Sequence, residues 1–477
     1  MSENNSLYIT TTIPYVNADP HIGFALEIVH ADIFARFESL RGKEVFFNTG
    51  SDEHGVKIWK AALASGKSPQ AYVDGYAERY RKLKDVLGLL PDINFIRTTS
   101  DHHMAAAQEF WKKCAAAGDI YKKYYEIKYC IGCELEKTDS ELENGRCPMH
   151  PNLEIEFIKE ENYFFRWSKY EKKLIEFYEM NQKFVVPATR FNEIKAFVSR
   201  GLKDFSISRL KAKMPWGVPV PDDSDHIMFV WFDAFINYIS AIGWPDDMKK
   251  FNKWWPVVQV AGKDMVRQQA AMWQAMLMSV GLPPSKQIII HGFITSGGQK
   301  ISKSLGNVVH PDALVQEFGT DALRFFLAKE ISYLEDSDFT IERFKNSYNA
   351  DLANGLGNVV GRIMKMANTW LDAPVQTGEP ENMDQYFKYL ENFEINKASG
   401  FVWSQIKEID KYIQENAPFT VVKLDKEKGK AMIVQLVKRL YDVATMLEPI
   451  LPTTSAKIKM LIKENAVPAV ALFPRKD

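Results

Sequence analysis

The sequence predicts an α/β protein in which an inserted module interrupts a doubly wound parallel sheet and an all-helical domain follows the sheet. Three observations support this prediction. First, strand and helix patterns alternate along the first hundred residues and resume at residue 257. Second, three of the four cysteines lie between these two stretches. Third, the periodicity after residue 311 is almost entirely helical. Alternating strands and helices imply parallel pairing with right-handed crossover connections.

Residues 1–120 form the predicted first half of the sheet domain. They carry strand patterns at residues 7–12, 44–48 and 94–97 and helical patterns at residues 24–40, 68–87 and 101–117. The strand segments are short and rich in β-branched and aromatic residues, whereas the helical segments are longer and repeat their apolar residues at helical spacing.

The remaining boundaries follow from changes in pattern. Residues 121–225 form the predicted insertion, because proline, glycine and charged residues interrupt every long period there. Residues 226–310 form the second half of the sheet domain, with strands at 257–260 and 287–290, a helix at 265–280 and a glycine-rich loop at 297–298. Residues 311–346 are a linking segment, and residues 347–477 form a predicted helical bundle with amphipathic helices at 348–370, 392–414 and 426–446.

The insertion contains a candidate metal site. Two residues separate Cys130 from Cys133, two separate Cys147 from His150, and thirteen lie between the two pairs. Four soft ligands in two such knuckles suit tetrahedral zinc, and four filled positions indicate a closed, structural site. The alternative is three unrelated cysteines and a histidine. We expect a structural zinc knuckle over about residues 128–152.

Composition restricts the class of protein. The 477 residues include 60 Lys and Arg against 61 Asp and Glu, so a uniform polycation for nonspecific nucleic-acid binding is excluded. Asp233 and Asn237 break the longest apolar run, and the N-terminus lacks the pattern of a signal or transit peptide. Four cysteines in this length argue against a secreted disulfide scaffold. We expect a cytoplasmic enzyme without a membrane segment.

The segment from Pro20 to Gly23 follows the first strand and opens a helix. Free N–H groups at a helix N-terminus hold phosphates, a histidine such as His21 can donate to a phosphate oxygen, and glycine lets a nucleotide approach the backbone. On its own, the segment is much better explained as an ordinary turn.

A second candidate phosphate site is the loop Lys300-Ile301-Ser302-Lys303-Ser304. Two lysines three residues apart could clamp a pyrophosphate whose charge grows in a transition state. Taken alone, the loop is better explained as a solvated basic loop.

Together, the two segments resemble the two motifs of class I aminoacyl-tRNA synthetases in order and in their separation of roughly 280 residues. Over residues 7–460 the chain is similar to the bacterial methionyl-tRNA synthetase family in its short form with a single zinc knuckle. The matching stretches are Ile13-Pro14-Tyr15, Gly50-Ser51-Asp52-Glu53-His54-Gly55, the zinc module, residues 206–221, Val230-Trp231-Phe232-Asp233-Ala234, Gly262-Lys263-Asp264, His291-Gly292-Phe293 and Asn349-Ala350-Asp351-Leu352. The resemblance implies a Rossmann-like sheet with an inserted zinc-knuckle domain and a helical-bundle anticodon-binding domain.

The resemblance also implies a methionine pocket. A flexible thioether needs an apolar, aromatic cage, and the α-ammonium needs a carboxylate. The cage is assigned to Ile13, Tyr15, Trp231 and Tyr238, the carboxylate to Asp52, and a polar wall to His291. The alternative for Trp231 is ordinary core packing, and we interpret His54 as structural.

On the nucleotide side, the resemblance implies ATP contacts at Asn17, His21, Gly23, Gly262, Asp264, Lys300 and Lys303. His21, Lys300 and Lys303 are the catalytic candidates, and Mg²⁺ would accompany ATP. The amino-acid carboxylate itself attacks the α-phosphate, so catalysis needs positioning and electrostatic stabilisation but no enzyme nucleophile.

In the helical domain, the resemblance assigns recognition of the CAU anticodon to Asn358, Arg362 and Phe419. Asn358 and Arg362 are one helical turn apart and therefore face the same side. An exposed aromatic ring at Phe419 could stack on an unpaired base, and the alternative is a helix-packing residue.

Three positions depart from the family pattern. Phe24 replaces the second histidine of the first motif, Gln269 replaces a histidine common after the Gly-Lys-Asp element, and Phe419 replaces the anticodon tryptophan. Loss of one phosphate contact at Phe24 would cost about 1–3 kcal/mol and slow activation without abolishing it.

The resemblance implies a methionine–tRNA ligase that forms methionyl-adenylate from ATP and L-methionine and transfers methionine to initiator and elongator tRNA(Met). Leucyl, isoleucyl and valyl enzymes share the fold, but their inserted editing domains are much larger than the roughly 105 residues here. A cysteinyl enzyme would hold its substrate with zinc in the catalytic pocket. The alternative of another class is a non-catalytic tRNA-binding paralogue, and for the oligomeric state we expect a monomer.

Overall fold

The computed structural model describes residues 5–133, 135–300, 308–381 and 383–476, with Lys300 described by its backbone alone. A six-stranded, all-parallel sheet lies at its centre. Its strands, numbered in chain order, are β1 (Ser6–Thr11), β2 (Glu44–Ser51), β3 (Asn94–Arg97), β4 (Val185–Val186), β5 (Val258–Gly262) and β6 (Gln287–His291). The strands lie side by side in the order β3-β2-β1-β5-β6-β4, and the predicted parallel α/β fold is confirmed.

The strand order places a cleft at one edge of the sheet. The chain moves from β1 outward to β2 and β3 on one side, and later from β5 to β6 on the other. The order therefore reverses between β1 and β5. In open parallel sheets, ligands bind outside the carboxyl ends of the strands at such a reversal.

Helices cover both faces of the sheet and bury large apolar clusters against it. Those between β1 and β6 run over Ile22–Leu40, Val56–Ala64, Pro69–Val86, Asp101–Ala116, Glu171–Met180, Ala188–Ser199, Val230–Phe235, Asn237–Ser240, Met248–Trp254 and Trp273–Ser279. The last follows a π-helical segment at Gln268–Met272, which the regular helical spacing of residues 265–280 did not predict.

Most strands of the predicted insertion pair antiparallel. Leu135–Lys137, Ile120–Cys130, Glu156–Phe165 and Phe205–Ser206 form one sheet in that order, and Pro219–Val220, Asp223–Met228 and Ser208–Leu210 form another. Strand β4 lies between the helices of this interval but pairs with β6 of the central sheet. Residues 121–225 are therefore not one detached module, and a strand of two residues is too short to produce a sequence pattern.

The chain beyond β6 is mainly helical, as predicted. A small sheet joins Gln299–Lys300, Ile294–Ser296 and Ser337–Asp338. Helices run over Pro311–Phe318, Thr320–Lys329, Ile341–Ser347, Asn358–Trp370, Asp384–Glu391, Ile395–Asn416, Pro418–Leu424, Lys426–Leu447 and Pro452–Glu464, with a π-helical segment at Tyr348–Gly357. None of the helices in the described part of the chain has the length and apolar character needed to cross a membrane.

A fully buried ion pair ties the sheet domain to the helical domain. Arg324 donates through Nη2 to Oδ2 of Asp32 at 2.7 Å, and both side chains are completely buried. The same guanidinium donates to the carbonyls of Leu87, Pro449 and Ile450. Helix Thr320–Lys329 therefore holds the first helix of the sheet domain against the end of the bundle.

We expect Arg324→Met to lower the free energy of unfolding by about 3–5 kcal/mol, because it leaves the buried Asp32 carboxylate without its main cation. Arg36→Met is the matched control. Arg36 bonds the same Asp32 oxygen at 2.7 Å but is partly exposed, so its loss should cost about 1 kcal/mol. Urea denaturation followed by fluorescence measures both, and equal shifts in the two variants would contradict the assigned role.

Candidate active site

A cleft of about 840 Å³ lies at the carboxyl edge of the central sheet, where the strand order reverses. The residues assigned by resemblance to the methionine and ATP sites converge there. Those lining it are Ile13, Tyr15, Asn17, His21, Gly23, Asp52, Trp231, Tyr238, Gly262, Asp264 and His291. Lys303 lies outside the described residues, and only the backbone of Lys300 is described, in the strand Gln299–Lys300.

His21 caps the helix that starts at Ile22. Its Nδ1 accepts a hydrogen bond from the backbone N–H of Gly23 at 3.0 Å, so a neutral ring carries its proton on Nε2, where it can donate. A Cβ at Gly23 would lie 2.9 Å from Cε1 of His21. A larger residue at position 23 would therefore have to displace the histidine ring.

The pairing of β1 with β2 continues past the strand ends and holds Asp52 beside the segment from Ile13 to Tyr15. The backbone N–H of Asp52 donates to the carbonyl of Pro14 at 2.9 Å, and Tyr15 forms an isolated parallel bridge with Asp52. Asp52 is 8% exposed, whereas Ile13, Tyr15 and Trp231 are half-buried in the cleft wall. Trp231 is therefore not an ordinary core residue, and a low-polarity cage beside one carboxylate suits an amino acid with an apolar side chain.

Glu27 is a site residue that the sequence analysis missed. Its carboxylate accepts from the backbone N–H of Thr12 at 2.7 Å and contacts Nε2 of His291 at 2.9 Å. Burial lowers the pKa of His291, but the hydrogen bond and charge of Glu27 outweigh it and raise that pKa above its ordinary value. A sequence signal existed, because Glu27 is a single charge within the apolar start of its helix.

Behind Trp231, a fully buried carboxylate anchors the short helix Val230–Phe235. Asp233 accepts from Nδ1 of His54 at 2.6 Å and from Nε2 of His103 at 2.9 Å. Burial alone would raise the pKa of Asp233, but these two histidines lower it to about 2. The structural interpretation of His54 agrees with this geometry, since its ring holds the helix that carries the cleft wall.

The four predicted metal ligands cluster at one side of the cleft. Their ligand atoms all lie within 4.8 Å of one another, and Sγ of Cys133 is 3.5 Å from Sγ of Cys147 and 3.3 Å from Nδ1 of His150. Ligand atoms around a tetrahedral metal with bonds of about 2.0–2.3 Å lie about 3.3–3.8 Å apart. The set therefore could hold a metal ion, with Cys130 as the buried fourth ligand.

Two contacts fasten this knuckle to the sheet domain. Lys57 donates through Nζ to the carbonyl of Gly132 at 2.6 Å, and Arg267 bonds Glu141 at 3.2 Å. A Cβ at Gly132 would lie 2.4 Å from the ring of His150, so only glycine fits there. The knuckle thus forms a fixed wall of the cleft.

Comparison with known proteins places this geometry in a family. Residues 7–156 and 140–364 match the family described as tRNA synthetases class I (M), and residues 370–470 match the anticodon binding domain of methionyl tRNA ligase. A methionine–tRNA ligase of Thermotoga maritima is 40% identical over 472 residues, which cover 94% of this chain and 74% of that protein. A second, of Nostoc sp., is 40% identical over 471 residues, covering 94% of this chain and 88% of that one.

The fold agrees with the sequence comparison. The structure of Mycobacterium tuberculosis methionyl-tRNA synthetase in complex with methionyl-adenylate superimposes with a TM-score of 0.91 at 33% identity, covering 98% of this chain and 100% of that one. This chain belongs to the methionyl-tRNA synthetase family. The family and the fold class predicted from the sequence are therefore confirmed.

As a methionyl-tRNA synthetase family member, the chain has two departures in the cleft that the structure explains. Phe24 stands in place of a histidine and packs edge-on against Tyr80, with ring centroids 5.3 Å apart. The aromatic contact stabilises an apolar side chain at this position. Gln269, also in place of a histidine, donates through Nε2 to the hydroxyl of Tyr238 at 2.7 Å. Tyr238 was predicted as part of an apolar cage, but its hydroxyl is hydrogen-bonded within the interior.

The anticodon candidates lie in the helical domain of this synthetase. Asn358 starts the helix Asn358–Trp370 and is exposed, and Arg362 follows one turn later, paired with Oδ1 of Asp410 at 2.5 Å. Phe419 is 45% exposed, so it is not a helix-packing residue. Its helix, Pro418–Leu424, is separate from the one carrying Asn358.

Proposed function

We propose that this chain is a methionine–tRNA ligase whose cleft joins L-methionine to AMP and then transfers methionine to the 3′ end of tRNA(Met). One observation carries the proposal: the half-buried side chains of Ile13, Tyr15 and Trp231 share a single cleft with the Asp52 carboxylate, the histidine cap and Asp264. The relatives are named methionine–tRNA ligases, and the Mycobacterium tuberculosis neighbour is titled as a complex with methionyl-adenylate.

At the amino-acid end, we assign Asp52 to the α-ammonium and the cage of Ile13, Tyr15, Trp231 and Tyr238 to the side chain. His291 is assigned to the polar wall. A charge-assisted hydrogen bond from an ammonium to a nearly buried carboxylate is about twice as strong as a neutral one. This contact orients the substrate carboxylate toward the nucleotide.

At the nucleotide end, a substrate carboxylate oxygen attacks the α-phosphorus and the bond to pyrophosphate breaks. Asn17, Gly23, Gly262 and Asp264 are assigned to binding ATP, which Mg²⁺ accompanies. His21 donates from Nε2 to a phosphate oxygen, and Lys300 and Lys303 are assigned to the charge that develops on the leaving pyrophosphate. No enzyme nucleophile takes part, so the rate derives from positioning and electrostatic stabilisation.

We expect methionine-dependent ATP–pyrophosphate exchange, and Asp52→Asn should raise the KM for methionine about tenfold to a hundredfold because it removes the charge opposite the ammonium. Asp264→Asn is the matched control and should raise the KM for ATP instead. An unchanged methionine KM in Asp52→Asn would contradict its assignment. Absence of methionine-dependent exchange in the wild type would favour the non-catalytic tRNA-binding alternative.

We propose that the metal of the knuckle is zinc, with a structural role. Three thiolates and one imidazole form a donor set that zinc prefers, and all four tetrahedral positions would be filled by protein. When bound, the ion would cross-link the two ends of the knuckle and would have no open position for a substrate.

Elemental analysis should find one zinc ion per chain, and Cys133→Ser should lose most of it because one of four ligands becomes a poor one. Cys114→Ser is the control. Cys114 is a buried cysteine outside the cluster, so this variant should keep its zinc. Equal zinc content in the two variants would refute the ligand set.

We propose that Asn358, Arg362 and Phe419 read the anticodon of initiator and elongator tRNA(Met). The supporting observations are the matched anticodon domain and the exposed ring of Phe419. The monomeric state and the cytoplasmic location stay predictions from the sequence.

Phe419→Ala should reduce kcat/KM for aminoacylation of tRNA(Met) about fivefold to a hundredfold, through loss of base stacking, and leave ATP–pyrophosphate exchange unchanged. Phe419→Trp should retain the activity. Leu424→Ala, at an 85% exposed position of the same helix, controls for surface changes. If Phe419→Ala and Leu424→Ala charge tRNA equally well, Phe419 does not contact the anticodon.

A further inference from the structure

A short hairpin carries Lys300, the first of the two lysines assigned to the leaving pyrophosphate. Its strands, Ile294–Ser296 and Gln299–Lys300, pair antiparallel, with Thr295 opposite Lys300. Two glycines form the turn between the strands. We call residues 294–300 the lysine hairpin. Its pairing determines where the backbone of Lys300 lies.

The lysine hairpin is too small to hold its own shape. Its turn consists of Gly297 and Gly298, whose φ angles are 60° and 73°. A two-residue turn with both φ angles positive suits a hairpin, but two glycines lose much conformational entropy when the turn becomes ordered. An isolated hairpin of two strands is marginally stable at best. The position of Lys300 therefore depends on contacts from outside the hairpin.

Asp338, on the third strand of the small sheet, supplies two such contacts. Its Oδ1 accepts from the backbone N–H of Gly298 at 2.9 Å and from the hydroxyl of Thr295 at 2.8 Å. One oxygen thus bonds both the turn and the residue opposite Lys300. The Gly298 N–H, and after it the Thr295 hydroxyl, lowers the pKa of Asp338, so the side chain is a carboxylate at neutral pH.

The helical part of the chain holds Asp338 in turn. The backbone carbonyl of Asp338 accepts from Nη1 of Arg343 at 2.7 Å. The next residue, Phe339, is 3% exposed and packs against Phe326. Its N–H donates to the carbonyl of Thr295 at 2.8 Å. Asp338 therefore connects the lysine hairpin to a packed core.

We propose that Asp338 is a positioning residue for the activation step, which fixes the hairpin so that Lys300 reaches the leaving pyrophosphate. The inference rests on the proposed function, in which Lys300 stabilises the charge that develops as the bond between the α-phosphorus and pyrophosphate breaks. The cation must be in place before the transition state forms, because a displacement of about 1 Å can lower the rate about a hundredfold. Binding of methionine does not use this lysine, so the KM for methionine should not depend on Asp338.

Substitutions in the small sheet separate these hydrogen bonds from general stability. Asp338→Ala removes both contacts with the hairpin. Asp338→Asn keeps an oxygen that can accept from Gly298 and Thr295 but loses the charge. Ser337→Ala is the matched control. The Ser337 hydroxyl accepts from the backbone N–H of Ser332 at 2.8 Å, so this variant loses a hydrogen bond of the same strand to a different segment.

The test is methionine-dependent ATP–pyrophosphate exchange on the full chain. Asp338→Ala should lower kcat about tenfold to a hundredfold and leave the KM for methionine within about twofold. Asp338→Asn should keep kcat within about threefold of the wild type. Ser337→Ala should keep kcat within about twofold and slightly lower the melting temperature. Thr295→Val removes only the hydroxyl donor, so kcat should fall about threefold, and this variant replaces Asp338→Ala if the latter does not fold.

A double variant tests whether Asp338 acts through Lys300. Lys300→Ala should by itself lower kcat about a hundredfold to a thousandfold. Adding Asp338→Ala to Lys300→Ala should lower kcat by less than about twofold more, because the lysine that Asp338 positions is already gone.

The outcomes distinguish failure of this inference from failure of the proposed function. Absence of methionine-dependent exchange in the wild type would overturn both. Normal exchange in the wild type with an unchanged kcat in Asp338→Ala and Thr295→Val would keep the proposed function and overturn the role of Asp338. Fully additive losses in the double variant, or an equal fall of kcat in Ser337→Ala, would reduce Asp338 to a structural residue.

Discussion

The parallel pairing of β1 with β2 on one side and β5 on the other is the constraint on which the cleft depends. Parallel strands all end at the same edge, so the residues that follow them meet there although long stretches of chain separate them. The pairing extends beyond the strands, since Thr12 donates to Val260 at 3.2 Å and Asp52 to Pro14 at 2.9 Å. These bonds bring the segment after β1, Asp52 and the end of β5 together at one edge of the sheet.

Buried polar networks then give the cleft a single arrangement. Asp233 with its two histidines, Asp32 with Arg324, and Gln269 with Gln259 and Tyr238 are each enclosed and hydrogen-bonded. Repacking an apolar core lowers the stability only a little, whereas a buried polar group that loses its hydrogen-bond partner lowers it much more. Shifting any of these elements would break such a network, so the wall that carries Trp231 and Tyr238 is held in register.

Charged and hydrogen-bonding side chains dominate the site. A helix N-terminus and contacts with neighbouring side chains fix their positions. The histidine cap uses Nδ1 to accept from its own helix, which puts the proton of a neutral ring on Nε2. The Glu27 carboxylate hydrogen-bonds both His291 and the backbone N–H of Thr12, the first residue after β1. Because the reaction proposed here needs no enzyme nucleophile, such fixed donors and acceptors are the means by which the fold contributes to the rate.

Much of the fold was accessible from the sequence. The bundle helices predicted at 392–414 and 426–446 are found at Ile395–Asn416 and Lys426–Leu447, because an amphipathic period is a local property. The two-residue strand β4 was not predicted, since only its pairing with β6 makes it a strand. Gln269 was recognised as a departure from the family pattern, but its hydrogen bonds to Tyr238 and Gln259 were not predicted, because those partners belong to other elements.

The sequence by itself determined the alternation of strands and helices, the spacing of four soft metal ligands, and the motifs that follow the strands. Each is a pattern within a short stretch of chain. The tertiary structure alone decided that Glu27 contacts His291, that Arg324 is buried against Asp32, and that Gln269 donates a hydrogen bond to the hydroxyl of Tyr238. Burial and hydrogen-bond direction depend on which distant segments pack together, and no local spacing encodes that.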